Sequence, residues 1–234
     1  MADPVFESIS NTTYASRTNT TVTAPSGIAN GDTLFYALFT GASSPVTATA
    51  PSGFALPSGG TWPIAVVDEG SFDGRYYVWY KIASGESGNY TATHAAASTQ
   101  GVMWRVSGGD GAQPAATTNF GTTPTAPNDS TATGLTTTNN GALVMVVGWD
   151  WADTTNNLTG PSGTTPTFTE RLDVTLTGLW TGNLATAGAT GNKTFANNSN
   201  NTGTWPWAAS MLVVEPSAGG SASRQSLLMT GMGR

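Results

Sequence analysis

Residues 30–39 read NGDTLFYALF, and residues 140–149 read NGALVMVVGW. In both stretches a turn-forming Asn-Gly pair leads into a run of apolar residues, at residues 34–39 and 143–147. The two stretches are 110 residues apart, and a Pro-Ser-Gly triplet follows each one at that same spacing, at residues 51–53 and 161–163. Because two landmarks share one offset, the sequence indicates that residues 27–108 are repeated, in diverged form, as residues 134–216.

Short strand-like segments recur along the chain. Runs of β-branched and aromatic residues lie between clusters of Gly, Pro, Asn and Ser, and no stretch has the periodicity of an amphipathic helix. The apolar runs at residues 34–39 and 143–147 do not alternate with polar residues, which is typical of strands covered on both faces. We therefore predict an all-β protein in which these two runs form central strands.

Residues 75–82, RYYVWYKI, indicate a strand with two different faces. One face suits a core and carries Tyr76, Val78, Tyr80 and Ile82. The other face combines aromatic rings with cations and carries Arg75, Tyr77, Trp79 and Lys81. This second face predicts either an exposed sheet surface or a contact surface.

The predicted architecture is an antiparallel β-sandwich of the jelly-roll or immunoglobulin-like type over residues 1–216, built from the two repeats. Residues 109–133 are rich in Pro, Thr and Asn, lack strong strand patterning, and are predicted to form the crossover between the repeats. Each repeat has one continuous apolar strand, which favours a single sandwich with a shared core. Two tandem sandwiches joined by a linker at residues 109–133 are the alternative.

The composition argues against several classes of function. Charged residues make up 9% of the chain, against roughly 25% in an average soluble domain. The net charge is −6 and the basic residues are not clustered, so we expect no binding to nucleic acid. The chain has no cysteine and therefore no disulfides or thiolate metal sites. Residues 1–4 lack the features of a signal peptide and no apolar run is long enough to cross a bilayer, so we expect no membrane association.

No set of residues forms a catalytic signature. His94 is the only histidine, and no Gly-x-Ser-x-Gly motif accompanies it. The acidic residues that a glycosidase could use lack a specific spacing; they are Asp68, Glu69, Asp73, Asp150, Asp153 and Glu170. Residues 68–74 are typical of a hairpin turn. We therefore expect a protein that is not an enzyme and needs no cofactor or metal, with a hydrolase as the residual alternative.

Aromatic residues beside acidic ones form a candidate glycan-contact site, which comprises Trp149, Asp150, Trp151 and Asp153. In sugar-binding sites an aromatic ring stacks on the sugar while neighbouring polar groups accept hydrogen bonds from its hydroxyls. The alternative is that these rings fill a core or an interface. Tryptophans at similar places in both repeats, near Trp79 and Trp180, favour that structural role.

The C-terminal residues 217–234 differ from the rest of the chain. Residues 217–223 consist of Gly, Ser and Ala, the composition of a flexible linker. The apolar residues that follow are predicted to dock onto a partner; they are Leu227, Leu228, Met229 and Met232. The docking surface belongs to another protein or a neighbouring copy, or the segment packs back onto its own sandwich.

Several landmarks resemble a recurring pattern in phage and prophage proteins, with a Gly-Asp-Leu-Leu strand, a Pro-x-Gly-Trp turn and a Tyr-Trp-Lys strand. The matching stretches are GIANGDTL at residues 27–34, APSGF at 50–54, VWYKIA at 78–83 and GNYT at 88–91. The resemblance covers residues 20–216, and residues 224–234 are similar to the ends of small tailed-phage structural proteins. Phe54 stands where the pattern usually has Trp, and the second repeat keeps only its Pro-Ser-Gly triplet.

The resemblance implies a β-sandwich virion protein, first of all a capsid decoration or head-fibre component, and next a minor tail protein. Its expected partners are other virion proteins, namely the major capsid protein or tail proteins, together with further copies of itself. The alternative is a carbohydrate-binding, host-recognition module of a phage tail or fibre that contacts host surface glycans. The expected location is the virion, assembled from protein made in the host cytoplasm.

Overall fold

The structure, a computed structural model, describes residues 3–68, 72–123, 128–150, 158–161, 165–197 and 205–217. Within these ranges the chain forms fifteen β-strands and no helix. The strands pair antiparallel in three sheets, and the sheets pack together. The predicted fold class, an all-β antiparallel sandwich, is confirmed.

Seven strands lie in the first half of the chain. They are β1 (Val5–Asn11), β2 (Ala15–Thr23), β3 (Thr33–Ala42), β4 (Ala48–Thr49), β5 (Ile64–Asp68), β6 (Phe72–Ile82) and β7 (Asn89–Ser107). Eight strands lie in the second half. They are β8 (Ala115–Thr123), β9 (Asn128–Ala132), β10 (Ala142–Asp150), β11 (Leu158–Thr159), β12 (Thr169–Val174), β13 (Thr177–Leu184), β14 (Lys193–Asn197) and β15 (Trp205–Val214).

The two halves have the same strand topology. The first half forms one sheet in the order β1-β7-β3-β6-β5, with β2 and β4 also paired to the long strand β7. The second half forms a sheet in the order β8-β15-β10-β13-β12 and a small sheet in the order β9-β14-β11. The orders coincide when β8 to β13 are matched with β1 to β6, and β14 together with β15 is matched with β7. A common topology is what an internal duplication leaves behind, and the duplication itself stays a prediction.

The two large sheets pack face to face around a core to which both halves contribute. The ring of Phe39 on β3 stacks on that of Trp149 on β10, with centroids 4.1 Å apart. Nearby, the indole N–H of Trp104 donates to the Sδ atom of Met145 over 3.2 Å, and the same indole stacks on Phe35. Side chains from the two central strands therefore meet directly at the middle of the molecule.

Each large sheet is covered on its outer face as well. In the first half, β2, β4 and the beginning of β7 lie over Leu34, Tyr36 and Trp79. In the second half, β9, β11 and β14 lie over Val144 and Trp180. The central strands β3 and β10 are consequently buried on both faces, as their continuous apolar sequences predicted.

The structure corrects the expectation that the second face of β6 is an exposed sheet surface or a contact surface. Tyr77 and Trp79 are each 4% exposed, and their rings stack with centroids 4.8 Å apart. The phenol oxygen of Tyr77 accepts the backbone N–H of Ala48 on β4, 3.0 Å away. The aromatic rings of this face belong to the covered outer core, and strand alternation alone does not reveal such a covering layer.

The structure also corrects the expectation that residues 109–133 form a crossover without strands, because β8 and β9 lie within this segment. β8 pairs with β15 without interruption from Ala115 to Thr123. Its threonines are β-branched and suit a strand, but the remaining residues are small or polar apart from Phe120, so the apolar pattern is weak. The long apolar neighbour β15 supplies the pairing partner that the local sequence does not reveal.

The packing of Trp149 predicts a large effect on stability. Its side chain is 0% exposed, so Trp149→Ala should leave a cavity and lower the free energy of unfolding by about 3–5 kcal/mol. Val5→Ala, at a position that is 47% exposed, is the control and should change stability by less than about 0.5 kcal/mol. Denaturant unfolding measures both variants, and equal losses would contradict the assignment of Trp149 to the shared core.

Candidate functional site

Two of the four predicted glycan-contact residues are described, and both are buried. Trp149 is 0% exposed and contributes both to the core and to the stack on Phe39. Asp150, at the end of β10, is 1% exposed, and its backbone N–H donates to the carbonyl of Leu176 over 3.1 Å. Trp151 and Asp153 lie outside the described residues. In this structure Trp149 has no ring face open to a sugar, so a glycan contact at this place stays a prediction that involves Trp151 and Asp153.

The candidate catalytic residues are dispersed. His94 lies where β2, β4 and β7 meet, with its Nε2 atom 2.9 Å from the hydroxyl of Thr20 and its Nδ1 atom 2.7 Å from the carbonyl oxygen of Ala95. Glu170 is exposed on β12, and Glu69 lies outside the described residues. Within the described ranges, no group of three or more His, Asp or Glu side chains is placed to hold a metal ion.

The predicted docking residues Leu227, Leu228, Met229 and Met232 lie outside the described residues. The described chain reaches residue 217, and Pro216 forms a β-bridge with Gly109 just before it. The described chain therefore ends near the connection between the two halves.

A polar cleft of about 370 Å³ opens in the first half; it is lined by Pro51, Ser52, Lys81, Asn89, Tyr90 and Thr91. Two local structures converge there. The Pro-Ser-Gly turn supplies one wall, and the beginning of β7 supplies the other. In the sequence both segments are recognisable only as landmarks of the repeat, and nothing in their spacing predicts that they meet in a cleft.

An ion pair holds one side of the polar cleft. The Lys81 ammonium lies 2.7 Å from the Glu86 carboxylate, and the Tyr90 hydroxyl donates to the same carboxylate over 2.6 Å. The hydrogen bond from Lys81, followed by that from Tyr90, lowers the pKa of Glu86 below its ordinary value. Burial raises the pKa of Tyr90, and the hydrogen bond to Glu86 raises it further. These contacts hold the Lys81 side chain in the lining of the cleft.

The corresponding place in the second half is built differently. Leu34 on β3 and Val144 on β10 are equivalent positions, 110 residues apart. Lys81 is the strand partner of Leu34 and Gly182 is the strand partner of Val144, so Gly182 takes the position of Lys81. Atoms of Pro166 and Thr167 lie so close to Gly182 that a Cβ atom there would be 2.5 Å from the Thr167 carbonyl oxygen. The loop before β12 thus packs where the first half has the cleft.

Beside the polar cleft lies an uncharged surface that we call the hydroxyl face; its exposed residues are Asn19, Thr21, Thr23, Thr49, Asn89, Thr91 and Thr93. These residues alternate along β2 and β7 with buried side chains such as Val22 and Ala92, so they share the solvent side of the outer layer. The hydroxyls of Thr21 and Thr91 are 2.7 Å apart across the strands. Thr131 and Thr194 form the matching hydroxyl pair of the second half, 3.1 Å apart.

The chain matches no protein-family model and no curated protein. Among the residues that the structure describes, no helix is long and apolar enough to cross a membrane.

The ion pair in the polar cleft predicts a dependence of stability on pH. Because the pKa of Glu86 is lowered in the folded chain, its contribution is present above the unfolded-state pKa of about 4.3 and is lost as the pH falls through the folded-state pKa. Glu86→Gln should therefore be less stable than the parent chain near pH 7, and the difference should shrink towards about pH 3. Thermal unfolding at both pH values measures this, and a difference that is the same at both would contradict it.

Proposed function

We propose that the chain is a structural component of a phage virion, attached to the particle by protein–protein contacts. A capsid decoration or head-fibre component is the first choice, and a minor tail protein is the second. The proposal rests on the resemblance of residues 20–216 to phage and prophage proteins and on the surface that the fold presents.

The observation that carries the proposal is the hydroxyl face. It is the outer side of a layered β scaffold and presents seven exposed hydroxyl or amide residues without a charged one among them. Such a surface can pack closely against a neighbouring subunit without desolvating a charge when its hydroxyl and amide groups form hydrogen bonds across the contact.

The C-terminal segment provides the predicted attachment. Leu227, Leu228 and Met229 follow a linker of Gly, Ser and Ala, so they can reach a partner while the sandwich stays intact. Burial of these three side chains is worth about 1.5–3 kcal/mol each. The partner is expected to be a major capsid protein or another virion protein.

Incorporation into particles tests this proposal. The full chain should purify with intact virions of the phage that encodes it, in high copy number for a shell decoration and in a few copies for a tail or fibre. A chain that lacks residues 218–234 should keep its circular dichroism spectrum and lose at least about tenfold in incorporation. Quantitative mass spectrometry of purified particles measures both. Absence of the full chain from particles would overturn the proposed function, and undiminished incorporation of the shortened chain would overturn only the role of the C-terminal segment.

Binding of host glycans is the second candidate function, and the polar cleft is the observation that favours it. Ser52, Asn89 and Thr91 place hydroxyl and amide groups around a concave site beside the Lys81 ammonium, an arrangement that suits a polyhydroxylated ligand. The cleft lacks an open stacking platform at Tyr90, because that ring is 7% exposed and packs against Phe54.

A glycan array distinguishes the two possible sugar sites. If the polar cleft binds, Asn89→Ala together with Thr91→Ala should reduce the signal at least about tenfold, whereas Thr49→Ala on the same hydroxyl face should leave it unchanged. If the predicted aromatic site binds, Trp151→Ala should abolish the signal instead. An array without any signal would remove the glycan-binding candidate.

A further inference from the structure

A second cleft lies at the seam where the edges of the two large sheets meet. It has a volume of about 330 Å³ and is lined by Thr61, Pro63, Ile64, Ala65, Thr118, Asn119 and Phe120. Phe120 is 62% exposed, the highest value among the large hydrophobic side chains in the described part of the chain. The lining contains no charged residue. We call this cleft the seam groove.

The wall of the seam groove formed by β8 is a regular strand edge. β8 pairs with β15 at nine successive positions without a bulge, and it contains neither proline nor a charged residue. The pairings of the edge strands β1 and β12, by contrast, are interrupted by irregularities at Phe6/Ser8 and Glu170/Leu172. Natural proteins protect sheet edges by bulges, charges, proline or a covering segment, so β8 is an edge that requires a cover.

Part of this cover is visible. The backbone N–H of Ala116 donates to the carbonyl of Ser58 over 2.7 Å, and the N–H of Thr61 donates to the hydroxyl of Thr118 over 2.8 Å. Beyond Thr118, the N–H of Phe120 donates over 3.0 Å to the side-chain carbonyl of its own neighbour Asn119. No strand among the described residues pairs with this outer edge. Among the described residues, the part of the edge from Thr118 onward therefore has no paired strand, and its first residues line the seam groove.

We propose that residues 225–230 of the same chain, with the sequence QSLLMT, add a strand to the open edge of β8 and place apolar side chains in the seam groove. The segment has six residues, which equals the length of the open edge at residues 118–123. It contains no charge and no proline, and alternation would direct Leu227 and Met229 to the same side of the added strand. A groove of about 330 Å³ suits a few side chains of such a segment rather than a folded domain.

The chain has the length that this placement needs. Pro216 lies beside Gly109 and follows Val213, which is paired with Ala115. Three positions along the chain separate Val213 from Pro216, and three along β8 separate Ala115 from Thr118, so Pro216 lies about six strand positions before Thr118. Six positions correspond to about 20 Å along the strand, and two strand spacings add about 10 Å sideways, which gives a direct distance of about 22 Å. The linker at residues 217–224 spans at most about 26–29 Å, which allows an added strand parallel to β8 and is too short for an antiparallel one.

A short linker also favours pairing within one chain. A flexible tether of this kind gives an effective concentration in the millimolar range, well above that of a dilute solution of separate molecules. The inference goes beyond the proposed function, because it concerns the free chain. In a virion, a partner that binds Leu227, Leu228 and Met229 would compete with the seam groove for these side chains.

Amide hydrogen exchange on the purified full chain tests the added strand. Along β8 the outward N–H groups, which share the direction of Ala116, belong to Phe120 and Thr122, whereas those of Asn119 and Gly121 point to β15. Replacing Leu227, Leu228 and Met229 together by Ser should accelerate exchange at Phe120 and Thr122 by roughly tenfold or more and leave Asn119 and Gly121 unchanged. The control Ala222→Ser, within the linker, should change none of the four.

Unchanged exchange at Phe120 and Thr122 in the triple variant would overturn the proposal. Protection of these two amides that rises with protein concentration, together with a dimer in light scattering, would overturn it as well, because the segment would then occupy the groove of another copy. Neither result depends on incorporation into particles, so this test and that of the proposed function fail independently.

Discussion

The stack of Phe39 on Trp149 joins the central strands of the two large sheets at the middle of the molecule. Both rings are almost completely buried, and the core around them takes side chains from both halves of the chain. Because each of these strands is also covered on its outer face, the interior consists of one shared core between two separate ones. The polar cleft, the hydroxyl face and the seam groove are all positioned by this stack of layers.

The two halves have the same strand order but differ at their surfaces. The first half has the Lys81 and Glu86 ion pair beside an open polar cleft, whereas Pro166 and Thr167 pack against Gly182 at the matching place of the second half. The second half contributes β8, whose uncharged edge borders the seam groove. Shared topology thus explains the scaffold, and the differences between the halves supply the candidate binding surfaces.

The sequence predicted the scaffold better than the sites for a physical reason. Continuous apolar runs such as residues 34–39 report burial on both faces, and the 110-residue offset relates Phe39 to Trp149, which the structure brings into contact. The Trp-Asp pattern at residues 149–150 fits either a sugar site or a core, and only packing against the opposite sheet decides between them. The polar cleft and the seam groove join segments distant in sequence, so no local pattern marks them.

Native-state hydrogen exchange after a single substitution tests the shared core most directly. Phe39→Ala removes one ring of the central stack and lies in the first half of the chain. If the shared core couples the halves, the amides of β10 should lose protection by about as much as those of β3, because both open in one cooperative unit. Loss of protection confined to β3 and its neighbours in the first half, with β10 unchanged, would contradict this account.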